Sequence, residues 1–167
     1  FEKENAQGYG IVMPDYVIVA FRGTEGAQMG DLLADIKAWP AGADTTGTVH
    51  SGFKHELDKL YPEIIKWLGK KLTTKKIVIT GHSLGAAMAT VATSRLGDKV
   101  TALYTYGSPR VGTRKFVKSF DNIPHFRHVN NNDLVTCVPF AAMGYRHHSQ
   151  PRYINYFGNI RKMSKWQ

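Results

Sequence analysis

A serine held between two glycines is the first feature of this sequence whose residue types and spacing could support chemistry. Residues 81–85 read Gly-His-Ser-Leu-Gly and follow the apolar and β-branched run 77–80. A serine becomes a nucleophile when a sharp turn from a strand into a helix exposes its hydroxyl group. Glycines two residues to either side remove the Cβ atoms that would collide in such a turn. Ser83 is therefore a candidate nucleophile, and the alternative is a tight turn with an incidental serine.

The Gly-x-Ser-x-Gly pattern alone is a weak signal, but its context strengthens it. Alanines follow at Ala86, Ala87 and Ala89, and such small side chains allow the start of a helix to pack closely on a sheet. The N-terminus of that helix would also direct backbone N–H groups toward developing negative charge. These features favour the nucleophile over the incidental turn.

A nucleophilic serine requires a histidine base, and the histidine requires a carboxylate that fixes its tautomer. In sheets with this type of turn the chain order is serine, acid, histidine. The acidic residues after Ser83 are Asp98, Asp121 and Asp133. Asp98 and Asp121 lie in turn-like sequences, whereas Asp133 follows a strand-like segment, where sites form in open α/β sheets. We therefore predict that Asp133 is the acid of a catalytic triad.

Two adjacent histidines are the candidates for the base. Of the histidines after the serine, His125 and His128 precede the predicted acid and break the expected order. The spacing does not decide between the other two, His147 and His148. A metal site at this pair is disfavoured, because carboxylate and cysteine ligands are missing nearby. We expect the chemistry to need neither a metal nor an organic cofactor.

The elements that would position these residues alternate in type along the chain. We predict helices at 54–72 and 86–96 and strands at 10–13, 16–21, 76–80, 100–106 and 126–129. This alternation is typical of a parallel sheet covered by helices, and the apolar residues 77–79 within the strand 76–80 fit a strand buried on both faces. The sequence therefore predicts an α/β fold with 1–167 as one domain.

The charge and the distribution of basic residues indicate which classes of macromolecule or membrane this chain could bind. The chain has 22 Lys and Arg against 13 Asp and Glu, a formal net charge of +9. The basic residues form no stripe interleaved with aromatic residues, so nucleic-acid binding is disfavoured, whereas attraction to anionic lipid stays open. No apolar run approaches the roughly 18 residues of a membrane span.

Four blocks of this sequence resemble motifs of the class 3 lipases, a group typified by secreted fungal triacylglycerol lipases. The blocks are VAFRGT at 19–24, VHSGF at 49–53, GHSLG at 81–85 and YGSPRVG at 106–112. The Asn-rich segment that leads to Asp133 extends the match. The resemblance implies a compact α/β-hydrolase fold, with a mostly parallel central sheet and helices on both faces.

The resemblance also implies roles for individual residues. It implies Ser83 as nucleophile, Asp133 as acid and His147 as base, with His148 as the reserve choice for the base. Family members place the base in a segment similar to 145–149, which reads Tyr-Arg-His-His-Ser here.

For the oxyanion hole, the resemblance implies the N–H groups of Thr24 and Leu84. In this family the segment after the oxyanion turn forms a lid, which here is 25–39. Its apolar residues also have the spacing of a packed core helix, and that interpretation is favoured over a mobile lid. The family usually carries a helical region before the first strands. Only the residues before Gly10 stand in its place, which leaves open whether that region is missing.

The function implied by the resemblance is hydrolysis of lipid esters through an acyl-enzyme, as in triacylglycerol lipases or phospholipases. The alternatives are a feruloyl-type or short-chain esterase and, less favoured, a non-catalytic lipid-binding relative. The implied partners are the ester substrate and, transiently, a lipid interface, with no integral membrane segment. The compartment is not set by the sequence, and the family resemblance favours a soluble extracellular protein.

Overall fold

The protein is described by a computed structural model that defines residues 1–23 and 40–162. Two predicted features lie outside the described residues, namely the oxyanion residue Thr24 and the candidate lid at 25–39. The described residues form a large central sheet, a smaller sheet and a set of helices.

Strands and helices alternate along the described chain. The helices are α1 (Ser51–Leu68), α2 (Lys71–Thr74), α3 (Leu84–Leu96) and α4 (Arg114–Lys118). Short 3₁₀ helices occur at Gly97–Lys99, Leu134–Cys137 and Ala141–Met143. The strands are β1 (Glu2–Lys3), β2 (Ala6–Val12), β3 (Tyr16–Phe21), β4 (Pro40–Gly42), β5 (Thr48–His50), β6 (Lys76–His82), β7 (Val100–Tyr106), β8 (Gly112–Thr113), β9 (His125–Asn130), β10 (Tyr145–Arg146), β11 (Pro151–Ile154) and β12 (Ile160–Lys162).

The central sheet, within the described residues, has the strand order β1-β2-β3-β6-β7-β9-β11-β12. The five strands from β3 to β11 in this order are parallel to one another. Strands β1, β2 and β12 pair antiparallel at the two edges. The predicted α/β fold with a mostly parallel central sheet is therefore confirmed.

The centre of the sheet is buried because its strands carry β-branched residues on the face that the helices cover. Val19 of β3 lies beside Ile79 of β6, and both side chains are almost completely buried. The same face of β2 carries Gly10, where an added Cβ would come within 2.6 Å of the Trp67 ring of α1. The absence of a side chain at Gly10 thus lets α1 lie close to the sheet.

Helices α1 and α3 pack on this same face and on each other. Helix α1 is amphipathic, and its buried side chains recur at helical spacing: Phe53, Leu57, Leu60, Ile64 and Leu68. Helix α3 is buried almost all round, from Gly85 to Ser94, because its small residues fit between α1 and the strands. On the opposite face, side chains such as Ile18 and Val78 are only half-buried.

The smaller sheet has the order β10-β8-β5-β4 within the described residues, and all its pairs are antiparallel. This sheet matters for the site because its strand β10 immediately precedes His147. Tyr145 of β10 pairs with Thr113 of β8, so that the chain entering His147 is fastened to a strand.

Candidate active site

The candidate active site lies at the carboxyl edge of the central sheet. Phe21 pairs with Gly81, His82 with Tyr106, and Tyr106 with His128, so that four neighbouring strands end together. The segments that leave these strands carry the residues predicted from the sequence. Sites of open α/β sheets form at this edge, because loops from several strands converge there.

Ser83 is the single residue that joins strand β6 to helix α3. Its backbone has φ 55° and ψ −121°, which is a rarely populated conformation for a residue with a side chain. Two backbone hydrogen bonds fix this conformation. The Ser83 N–H donates to the Tyr106 carbonyl at 2.9 Å, and the Ser83 carbonyl accepts from the Ala86 N–H at 3.0 Å. The predicted strained turn between strand and helix is therefore present.

The glycines around Ser83 are required by close backbone approaches. A Cβ on Gly81 would lie 2.3 Å from the Gly85 carbonyl oxygen, and a Cβ on Gly85 would lie 2.3 Å from the Phe21 carbonyl oxygen. The motif thus packs the start of α3 against the ends of β6 and β3. The glycine spacing in the sequence has this physical cause.

Of the two residues predicted to form the oxyanion hole, the structure describes Leu84 and not Thr24. Leu84 is the first residue of α3, and N–H groups in the first turn of a helix have no acceptor within the helix. Gly23, the last residue described before Thr24, packs against the turn: a Cβ there would lie 2.6 Å from the His82 carbonyl oxygen and 3.4 Å from Ser83 Cβ. Gly23 therefore lies beside the Ser83 turn, while Thr24 is outside the described residues.

Asp133 follows β9 and lies beside the end of β7. Its Oδ1 accepts from the Val135 N–H at 3.0 Å, which caps the 3₁₀ helix Leu134–Cys137. Its Oδ2 occupies the space that a side chain at Gly107 would fill, since a Cβ there would come within 2.6 Å of Oδ2 and 3.4 Å of His82 Nε2. Gly107 has φ 56°, so glycine suits both the backbone and the space. The Asp133 carboxylate thus sits next to the turn that carries Ser83.

His147 lies against the same 3₁₀ turn that Asp133 begins. Its Nε2 is 2.9 Å from the Thr136 carbonyl oxygen, and the Thr136 hydroxyl donates to the Asp133 carbonyl at 2.8 Å. Because a carbonyl only accepts, Nε2 carries the proton in this arrangement. His147 and Asp133 are therefore linked through Thr136, and the direct bond from the imidazole to the Asp133 carboxylate is not formed in this structure.

The surroundings of His147 favour its neutral form. Burial, followed by the nearby Arg127 guanidinium, lowers the pKa of His147 to about 3. Arg127 is itself buried, and burial together with Arg110 lowers its pKa to about 10. A neutral imidazole at neutral pH is the state that can accept a proton from a serine.

His148, the reserve choice for the base, belongs to a different polar cluster. His125 Nδ1 and His148 Nδ1 are 2.9 Å apart, Thr105 Oγ1 is 2.7 Å from His125 Nε2, and His148 Nε2 is 3.4 Å from Asp121 Oδ1. A consistent set of tautomers runs from the Thr105 hydroxyl through both neutral rings to Asp121. The partners of His148 thus differ from those of His147, which alone contacts the Asp133 turn.

Sequence reasoning did not identify Gly107, Thr136 or Arg127 as parts of this site. The sequence did contain a sign of the role of Gly107, because a glycine directly after a strand of apolar and aromatic residues often marks a place where another group comes close to the backbone. Thr136 and Arg127 act through a backbone carbonyl and through burial, neither of which is visible in spacing. Within residues 1–23 and 40–162, no three His, Cys, Asp or Glu side chains cluster so as to hold a metal ion.

We expect the protein to lose stability as the pH falls from 7.5 to 5. Burial lowers the pKa of several histidines below 6.5: His50, His125, His128, His147 and His148. The unfolded chain then binds more protons than the folded one once the pH drops below about 6.5, so acid favours unfolding. At pH 5, a histidine whose pKa falls from 6.5 to about 3 contributes about 2 kcal/mol of this loss.

Urea unfolding at both pH values measures this loss directly. The carboxyl groups with lowered pKa, Glu4 and Asp44, contribute mainly below pH 5, because their ordinary pKa values are 4.5 and 3.8. A free energy of unfolding that is unchanged or larger at pH 5 would show that these histidines are not buried as described.

Comparisons with known proteins agree with the features of this edge. A family model described as Lipase (class 3) matches residues 18–143. The toxin TseL of Vibrio cholerae is 40% identical over 145 residues, which cover 83% of this chain and 22% of that protein. The secreted mono- and diacylglycerol lipase A of Penicillium cyclopium is 33% identical over 155 residues, which cover 82% of this chain and 47% of that protein. The chain thus spans less than half the length of these relatives.

The structural comparison extends over the whole chain. A crystal structure of a mutant form of MDLA from Penicillium cyclopium matches with a TM-score of 0.86 and 28% identity, covering 100% of this chain and 69% of that one. This similarity confirms the predicted α/β-hydrolase fold. Because the family model also matches most of the sequence, the chain belongs to the class 3 lipase family.

Proposed function

We propose that this chain is a serine carboxylic-ester hydrolase that acts on lipid esters, of the triacylglycerol-lipase or phospholipase type. The observation that carries the proposal is the strained backbone of Ser83 between β6 and α3, at the sheet edge where Asp133 also lies. This backbone conformation costs energy, and such strained residues are concentrated at functional sites, so a turn with an incidental serine does not explain it. Family membership supports the same chemistry.

The reaction begins with attack of the Ser83 hydroxyl oxygen on the ester carbonyl carbon. His147 accepts the Ser83 proton, and the negative carbonyl oxygen accepts hydrogen bonds from the N–H groups of Leu84 and Thr24. Each such donor lowers the barrier by roughly 3 kcal/mol. Collapse of the intermediate breaks the ester C–O bond, and His147 gives its proton to the departing alcohol. This leaves an acyl group on Ser83.

Water completes the reaction. His147 accepts a proton from a water molecule, whose oxygen attacks the acyl carbon, and the bond to Ser83 breaks to release the carboxylic acid. For both steps the imidazole must present one nitrogen to the serine and the other to Asp133. The His147 ring therefore turns from the Thr136 carbonyl toward the carboxylate when substrate binds, and Asp133 then stabilises the imidazolium.

The proposal includes an extracellular location and the action of residues 1–167 as one domain. A relative named as a secreted mono- and diacylglycerol lipase supports the location. No helix among the described residues has the length and apolar composition to cross a membrane.

Hydrolysis of p-nitrophenyl esters of increasing acyl length, with and without an emulsified interface, tests the proposal. For a lipid-ester hydrolase we expect the rate to rise with acyl length and to increase at the interface. A rate that is highest for acetate and indifferent to the interface identifies a short-chain or feruloyl-type esterase. A folded chain that hydrolyses none of these esters behaves as a non-catalytic lipid-binding relative, and the proposal then fails.

A further inference from the structure

Exposed apolar side chains border the sheet edge that carries Ser83 and Asp133. Five large apolar residues there are mostly exposed: Tyr156 (84%), Phe157 (80%), Leu134 (72%), Phe140 (63%) and Met143 (51%). We propose that this apolar rim docks on the surface of anionic phospholipid. The inference rests on the proposed function, because it names the surface on which the same site would find its substrate.

The position of the turn between β11 and β12 gives the first argument. Strand β11 runs parallel to β9, with Ile154 beside Asn130, so both strands leave the sheet at the same edge. The Asn131 N–H donates to the Ile154 carbonyl at 2.8 Å, which ties the start of this turn to the loop that carries Asp133. Tyr156 and Phe157 therefore project from the edge that holds the candidate active site.

The turn itself is built to hold these aromatic residues in place. Asn155 Oδ1 accepts from the N–H groups of Phe157 and Asn159, both at 3.0 Å. The Asn155 N–H donates to the Asn159 carbonyl at 3.1 Å, and the Gly158 N–H donates to the Asn155 carbonyl at 2.9 Å. A turn ordered by four hydrogen bonds keeps its two aromatic side chains in water. Aromatic residues on such a projecting turn suit the boundary between water and lipid.

The other members of the rim lie between Asp133 and His147. This segment is fastened to the loop after β7, because the Arg110 N–H donates to the Val138 carbonyl at 2.8 Å and its guanidinium donates to the Pro139 carbonyl at 3.1 Å. These two hydrogen bonds fix the backbone directly before Phe140, and the side chain of Phe140 is exposed. The rim thus comprises the turn between β11 and β12, which is tied to the Asp133 loop, and the segment that follows Asp133 in the chain.

Charge identifies the kind of surface. From residue 134 to residue 161, the sequence has three arginines and no acidic residue: Arg146, Arg152 and Arg161. The exposed Arg161 follows directly on the Tyr156–Ile160 stretch. Each basic residue near an anionic bilayer strengthens binding roughly 5-fold, and exposed aromatic side chains add apolar contact. The chemistry of this face therefore fits a negatively charged phospholipid surface better than a neutral one.

The test is sedimentation with vesicles of phosphatidylcholine alone and of phosphatidylcholine mixed with phosphatidylglycerol. The Ser83→Ala protein is used, so that the lipids are not consumed and binding is measured apart from hydrolysis. We expect binding to the mixed vesicles, weak binding to phosphatidylcholine alone, and weaker binding at high salt.

Two rim variants and one control locate the contact. Tyr156→Ser with Phe157→Ser should weaken binding at least 10-fold, by the apolar area withdrawn from the interface. Arg161→Glu changes the charge beside the rim by two and should weaken binding to the mixed vesicles about 30-fold, while leaving phosphatidylcholine binding unchanged. Tyr9→Ser with Ile11→Ser removes exposed apolar side chains from β2, away from the rim, and should change little.

Several results would overturn the inference. These are no binding to either vesicle, equal binding to both, or equal losses in the rim and β2 variants. Self-association without vesicle binding would assign the rim to a protein contact instead. Hydrolysis of a soluble short-chain ester by the wild-type chain is measured in parallel. Its absence would refute the proposed function, whereas its presence beside failed vesicle binding would refute only the docking surface.

Discussion

Replacement of Ser83 by alanine is expected to lower kcat for a soluble ester by about 10⁶-fold while leaving the fold intact. The substitution removes only the hydroxyl oxygen that attacks the carbonyl carbon. The strained backbone at this position is already carried by a non-glycine residue, so alanine fits it equally well. The measurement is steady-state hydrolysis of p-nitrophenyl butyrate beside thermal unfolding of both proteins.

Ser108→Ala is the matched control for this prediction. Ser108 is also buried, lies in the loop after β7, and donates its hydroxyl to the Pro109 carbonyl at 3.0 Å. Its replacement should change kcat by less than about 10-fold, since loss of one hydrogen bond removes about 1 kcal/mol. If Ser83→Ala retained as much activity as Ser108→Ala, the turn would hold an incidental serine.

Replacement of Asp133 by asparagine should lower kcat by about 10⁴-fold. Asparagine keeps an oxygen that can accept from the Val135 N–H, so the cap of the 3₁₀ helix Leu134–Cys137 is preserved. What is lost is the negative charge that orients His147 and stabilises it once it is protonated. We expect the melting temperature to change little and KM to stay close to that of the wild type.

Asp121→Asn is the matched control for the assignment of Asp133 and His147 as acid and base. Asp121 is the carboxylate beside His148, 3.4 Å from its Nε2. If His147 is the base, this substitution should have a small effect on kcat. If instead Asp121→Asn inactivates the chain and Asp133→Asn does not, the base is His148 and the triad is wrong.

The turn around Ser83 was predictable because its requirements are local. Two glycines at fixed distance, a β-branched strand before them and small residues after them describe almost the whole geometry of that turn. The predicted segments 86–96 and 126–129 also correspond closely to α3 (Leu84–Leu96) and β9 (His125–Asn130). In these segments the apolar pattern and the element boundary coincide.

Other features depend on contacts between distant parts of the chain. Strand β11 is half-buried at every residue, so no alternation of apolar and polar residues marks it in the sequence, and its pairing with β9 holds it in the sheet. The predicted helix 54–72 ends early, because Gly69 at φ 43° closes α1 and separates it from α2. The position of His147 on the Thr136 carbonyl is likewise set by a packed turn, which residue spacing cannot describe.

The reaction of the wild-type chain with a p-nitrophenyl alkylphosphonate tests the central claim most directly. Attack by the serine oxygen forms an O–P bond and expels p-nitrophenolate, which stops the reaction at a stable adduct. Peptide mapping by mass spectrometry then identifies the modified residue. We predict one adduct per chain, on Ser83, with release of one equivalent of p-nitrophenolate and loss of ester hydrolysis. A folded, hydrolytically active chain that remains unmodified at Ser83, or carries the adduct on another residue, would contradict the assignment of Ser83 as the nucleophile.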